Sequence, residues 1–125
     1  MSSPQGSTID EASIRRMVHE FYAKARSDAA LGPIFESRLA GRWSEHLEKM
    51  VDFWATALLH ERRYVGNPRA THAMLADLRA AHFDRWLELF DQTLHEIFSE
   101  DAAEVIQRRA QMMARGLMSA MPIRT

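Results

Sequence analysis

Four side chains carry most of the chemical possibility in this sequence: Tyr22, His46, His72 and Trp86. An imidazole can hold a transition metal, and a phenol, a second imidazole and an indole offer hydrogen-bonding groups to whatever the metal binds. His72 lies in a short segment between two strongly apolar helical stretches, each with a polar group beside its core-facing stripe. That set suits an iron-bound haem. Taken singly, each residue also has a plain structural reading: an inward histidine is more often hydrogen-bonded in a core than bound to metal, and buried tyrosine and tryptophan usually find ordinary partners.

The elements that must position these groups are helical. Thr8 or Asp10 can cap a first helix with an apolar stripe of Ile14, Met17, Val18, Phe21, Tyr22 and Ala25. Gly32 and Pro33 end the break that starts at Asp28; Ile34 and Phe35 then form an apolar corner, and a short helical turn follows. A second long helix spans 43 to about 59, with Trp43, Leu47, Met50, Phe53, Trp54, Ala57 and Leu58 on one face. At 100° per residue His46 falls inside that arc, near Met50 and Phe53, while Glu45, Glu48 and Asp52 point away. Gly66, Asn67 and Pro68 close an irregular stretch, and residues 69 to 75 have room for a turn or two of helix around His72. A third long helix spans about 79 to 98, facing inward through Phe83, Trp86, Leu87, Phe90, Leu94 and Ile97. The last, 101 to 119, does so through Val105, Ile106, Met112, Met113 and Leu117, and Pro122 marks a frayed end. Tyr22 and Trp86 border their stripes, each with an apolar body and one polar tip that needs a partner.

The remaining polar residues have plainer readings. His19 and His95 fall on solvated faces, His60 suits a helix C-terminus, and His82 fits either a core or a surface. Met112 and Met113 read as core filling, and Arg62–Arg63 and Arg108–Arg109 as solvated pairs.

Composition excludes several classes. A chain of 125 residues makes one domain with a single core. Without cysteine it has no disulfide, no thiolate metal site and no Cys-x-x-Cys-His haem attachment, so any haem is expected to be non-covalent. A net charge of -1 with scattered basic residues leaves no footprint for nucleic acid or anionic lipid. No secretory signal and no apolar run near the roughly 20 residues of a membrane span are seen, which points to the cytoplasm.

Taken together, the residues resemble a family. Phe21-Tyr22 followed by Leu31-Gly32-Pro33-Ile34-Phe35, Trp43 and His46 leading to Phe53-Trp54, Tyr64-x-Gly66-x-Pro68 with His72, and Phe83-x-x-Trp86-Leu87-x-Leu89-Phe90 stand in the order and spacing of a group III truncated haemoglobin. The resemblance spans nearly the whole chain. It implies an all-α, shortened globin fold in which two helix pairs stack two-over-two around haem. The globin domain is expected at 8–121, between a Ser/Pro/Gly tail at 1–7 whose composition predicts disorder and a frayed end at 122–125. The resemblance also implies haem b, with His72 as the proximal iron ligand and Tyr22, His46 and Trp86 as distal contacts. Met50, Phe53, Trp54, Tyr64, Leu75, Phe83 and Phe90 would wall the cofactor.

The implied ligands are oxygen, carbon monoxide, nitric oxide or peroxide. Two rivals stand beside a diatomic-ligand binder. A peroxidase-like enzyme or nitric oxide dioxygenase would need electrons from a separate reductase. A cofactor-free helical interaction module would explain the apolar stripes but not the four polar residues at family spacing.

Overall fold

The computed structural model describes residues 8–64, 66 and 78–120. Among these are five helices and no strand: α1 (Glu11–Ser27), α2 (Gly32–Leu39), α3 (Trp43–Leu59), α4 (Ala80–Ile97) and α5 (Glu100–Ala120). The tail at 1–7, the Asn67–Pro68 break, the helical turn at 69–75 with His72 and Leu75, and the end at 122–125 lie outside the described residues.

Local chemistry sets the helix ends. Of the two candidate caps, Asp10 starts α1: its carboxylate accepts from the Ser13 N–H at 2.8 Å, and Ser13 Oγ accepts from the Asp10 N–H at 2.9 Å. The corner after α1 is held by Asp28, whose carboxylate accepts from the N–H groups of Ala30 and Leu31. Gly32 and Pro33, read from sequence as the end of a break, instead begin an eight-residue helix. Pro33 sits in the first turn, where its missing N–H leaves no bond unmade. Gly32 is there for closeness: a Cβ would stand 2.6 Å from the Arg26 carbonyl oxygen. His60 closes α3 in the left-handed region at φ 60°.

α1 packs on α3, α4 folds back on α5 across the two-residue link Phe98–Ser99, and α1 lies against α4 to join the pairs. The α1 stripe is buried as its periodicity predicts. At the centre Phe90 stacks on Trp54 and on Trp86, with ring centroids 5.2 and 4.9 Å apart, while Phe21 meets Phe90 edge-on at 5.3 Å. Each such fully buried aromatic contributes about 1.5–3 kcal/mol through burial.

Three expectations are corrected. On α5 Val105 and Met112 are 53% and 67% exposed, and the buried stripe is Ala103, Ile106, Ala110, Ala114 and Leu117. Alanines at the seam allow α5 to lie close to α4, a role that selection by side-chain size overlooks. The single apolar face expected for α3 divides in two: Val51, Trp54 and Ala55 are buried in the core, whereas Met50 and Phe53 are part-exposed beside a cavity. Arg63 is part-exposed and engaged rather than freely solvated. It pairs with Glu11 of α1, with Asp52 at 2.7 Å and with Glu61, and Thr56 Oγ1 accepts from the N–H groups of Arg63 and Tyr64. This clamp ties the segment after α3 to α1.

Candidate functional site

The helix pairs leave an apolar cavity of about 400 Å³ between them, in the size range of small-molecule and cofactor sites. α1 contributes Tyr22; α3 contributes His46, Met50, Phe53 and Trp54; α4 contributes His82, Phe83 and Trp86; and Tyr64 closes one side. Nine of the sequence-derived site residues are described, and eight of them line this one volume. The ninth, Phe90, does not: it lies one layer behind, stacked between Trp54 and Trp86 and 1% exposed. On α4 it is four residues beyond Trp86, so it shares the inward side but is deeper in the core. His72 and Leu75 fall outside the described residues.

Tyr22 is 7% exposed, and burial alone pushes its phenol pKa well above the usual tyrosine value. The phenol is therefore a neutral donor. Among the described residues neither its hydroxyl nor the Trp86 indole N–H is engaged by a hydrogen bond. The His46 ring meets Tyr22 edge-on at 5.1 Å, which brings the distal polar groups of α1 and α3 together. His82 is committed elsewhere: its Nδ1 accepts from the Arg79 N–H at 2.9 Å at the start of α4, while its ring borders the cavity.

Several lining residues were missed in the sequence. Ile34 and Phe35 of α2 and Met113, Ala114 and Leu117 of α5 complete the apolar wall. The rim is charged, with Arg38, Arg42, Lys49 and Glu45. Lys49 had a signal, since it follows His46 by three residues and so shares its face. Glu45, expected to point away, borders the rim because the cavity opens to solvent along that edge of α3.

The sequence profile of the bacterial-like globin family matches residues 9–121. A group 3 truncated haemoglobin of Campylobacter jejuni is 39% identical over 110 residues, covering 86% of this chain and 87% of that protein. The crystal structure of the group III truncated haemoglobin from the same organism superposes with a TM-score of 0.88 at 36% identity, over 94% of both chains. A 2/2 haemoglobin from Synechococcus sp. PCC 7002, solved in the cyanomet state with covalently attached haem, shares the fold with a TM-score of 0.76 at 22% identity, over 87% of this chain and 92% of that one. The helix pairing and the cavity between the pairs are those of a shortened, two-over-two globin. The chain belongs to the bacterial-like globin family, and its likeness within that family is to the group III truncated haemoglobins.

Among the described residues no helix is long and apolar enough to cross a membrane.

Proposed function

We propose that the cavity binds one non-covalent haem b and, through it, oxygen or another diatomic ligand. The observation that supports this most is the convergence of three polar tips, on Tyr22, His46 and Trp86, upon one apolar volume. The donor set fits the group: a buried phenol and an indole N–H await partners, aromatic rings offer flat walls to a porphyrin, and the basic rim residues Arg42 and Lys49 suit its carboxylates. The missing cysteine rules out a cysteine thioether, although the Synechococcus structure shows that this fold also accommodates covalently attached haem.

Bound haem supplies a ferrous iron that coordinates small ligands reversibly. His72 would hold that iron in this reading, and a partner on its other ring nitrogen would fix its tautomer. Tyr22 would offer its O–H, and Trp86 its N–H, to a small ligand in the cavity. Such hydrogen bonds would retain it. Phe53, Trp54 and Phe83 exclude water from the site. His46, at the part-exposed edge of α3, acts as a gate that controls entry. Carbon monoxide and nitric oxide would enter by the same route. A cytoplasmic location accords with this reading.

Spectroscopy tests the proposal. The purified protein supplemented with haem should develop a Soret band, and acidic butanone should extract the pigment. His72→Gly should weaken haem retention, with added imidazole restoring the spectrum. An unchanged ferrous carbon monoxide spectrum in His72→Gly without imidazole would remove His72 from this role.

A further inference from the structure

Redox-active rings line the cavity, but one such ring lies outside it and still touches the wall. Trp43 stands at the start of α3, part-exposed, with its ring centroid 6.0 Å from that of Tyr22 and 6.3 Å from that of His46. Its indole Nε1–H donates to the Glu36 carboxylate at 2.9 Å. The Arg26 guanidinium lies 4.3 Å from the ring centroid and pairs with Glu36 at 3.3 Å. The other aromatic chain, from Trp86 through Phe90 to Trp54, runs through a phenylalanine and returns to a cavity-lining residue. Only the Tyr22–Trp43 contact carries two oxidisable rings from wall to exterior among the described residues.

We propose that Trp43 is a one-electron exit for oxidising equivalents left in the cavity by peroxide, which makes the outer corner of α2 and α3 an oxidation site for small anionic reductants of the ascorbate type. This rests on the haem reading above. The direction follows from proton acceptors. The buried Tyr22 phenol makes no hydrogen bond to an acceptor among the described residues, the neighbouring His46 ring included. It is therefore costly to oxidise, because its proton has no acceptor in bonding reach. The Trp43 N–H already points at a carboxylate. Arg26 opposes a cation radical on the indole face, so the oxidation proceeds with loss of the proton. One electron leaves Trp43 for oxidised Tyr22, and the Nε1 proton passes to Glu36. The neutral Trp43 radical then regains an electron from the reductant and its proton from Glu36. Overall, one hydrogen peroxide and two ascorbate monoanions give two waters and two ascorbyl radical anions. Arg26 and Glu36 balance one another, and the exposed Arg42 next to Trp43 in the chain supplies the net positive charge that draws an anionic donor to this corner. Without this exit the oxidant would attack the cavity wall, where Met50 and Met113 invite sulfoxide formation.

The test uses haem-loaded full-length protein and hydrogen peroxide. Without ascorbate, freeze-quench radical spectroscopy with ring-deuterated tryptophan should show a tryptophan radical that is lost in Trp43→Phe, and peptide mass spectrometry should find Trp43 oxidised in the parent but not in the haem-free protein. With ascorbate, turnover should be lost in Trp43→Phe, whose damage shifts to Tyr22 and Met50. Glu36→Gln keeps the ring and should slow turnover with an increased solvent isotope effect. Unmodified Trp43 together with unchanged ascorbate turnover in both variants, in protein that shows its Soret band, would overturn the exit while leaving the haem reading in place. Wild-type protein that takes up no haem would overturn both.

Discussion

At the residue scale the cavity owes its polarity to a few groups, of which the Tyr22 hydroxyl and the Trp86 indole N–H make no hydrogen bond among the described residues. Tyr22 is the clearest case, buried, neutral and without a hydrogen bond among the described residues. Tyr22→Phe and Trp86→Phe should each speed oxygen release by roughly tenfold, the loss of one hydrogen bond of about 1.4 kcal/mol. Both residues line one cavity, and if both tips serve one ligand the double variant should depart from additivity as the remaining donor re-aims. Stopped-flow release rates that stay the same in all three would show that this network does not hold the ligand. His46 sits differently, edge-on to Tyr22 at a part-exposed position of α3. If it gates entry, His46→Leu should change mainly the association rates of oxygen and carbon monoxide. A donor's loss would raise dissociation instead, so unchanged association with much faster oxygen release would reject the gate.

Elements place these residues through close approaches more than through intrinsic helix preference. Tyr22 reaches the cavity because α1 ends where Asp28 turns the chain, and Phe35 then meets Tyr22 edge-on at 5.5 Å. That corner depends on Gly32, whose absent side chain lets α2 start against the last turn of α1. Gly32→Ala should therefore cost about 1–3 kcal/mol, since the clash is with backbone and no rotamer relieves it. Urea unfolding would measure the loss. A variant as stable as the parent would mean the corner has slack that the close contact does not suggest.

For the whole molecule, the carboxylates that fasten the elements together set an acid limit. Asp10 is held below its ordinary value chiefly by the Ser13 backbone N–H, and Glu11 chiefly by its hydrogen bond from Arg63. Desolvation pushes Asp28 up, but hydrogen bonds from Leu31 and from the Arg85 side chain outweigh it. In each case the folded state binds its proton less readily than the unfolded chain, so the stabilisation is present above the ordinary carboxylate values and is lost as pH falls through the lower folded ones. Asp10 and Glu11 are largely solvated, which keeps their shares modest, whereas the Asp28 side chain is mostly shielded. Urea midpoints of the haem-free protein should fall from about pH 5 to about pH 3, and Arg63→Gln should flatten that fall by removing the share of Glu11. An identical pH profile in Arg63→Gln would separate Glu11 from the acid limit. Periodicity and punctuation alone determined the long helices, the inward sides of α1 and α4, and the residues Tyr22, His46 and Trp86 that meet in one cavity, because apolar spacing and turn chemistry are local properties. Only the tertiary structure decided the rest. Ala110 and Ala114 form the α5 seam in place of Met112, Phe90 lies behind the cavity wall, Arg63 clamps the chain to α1, and Trp43 touches Tyr22 from outside. Each depends on how closely two helices approach across space, and that distance is set by the packing of residues far apart in the chain.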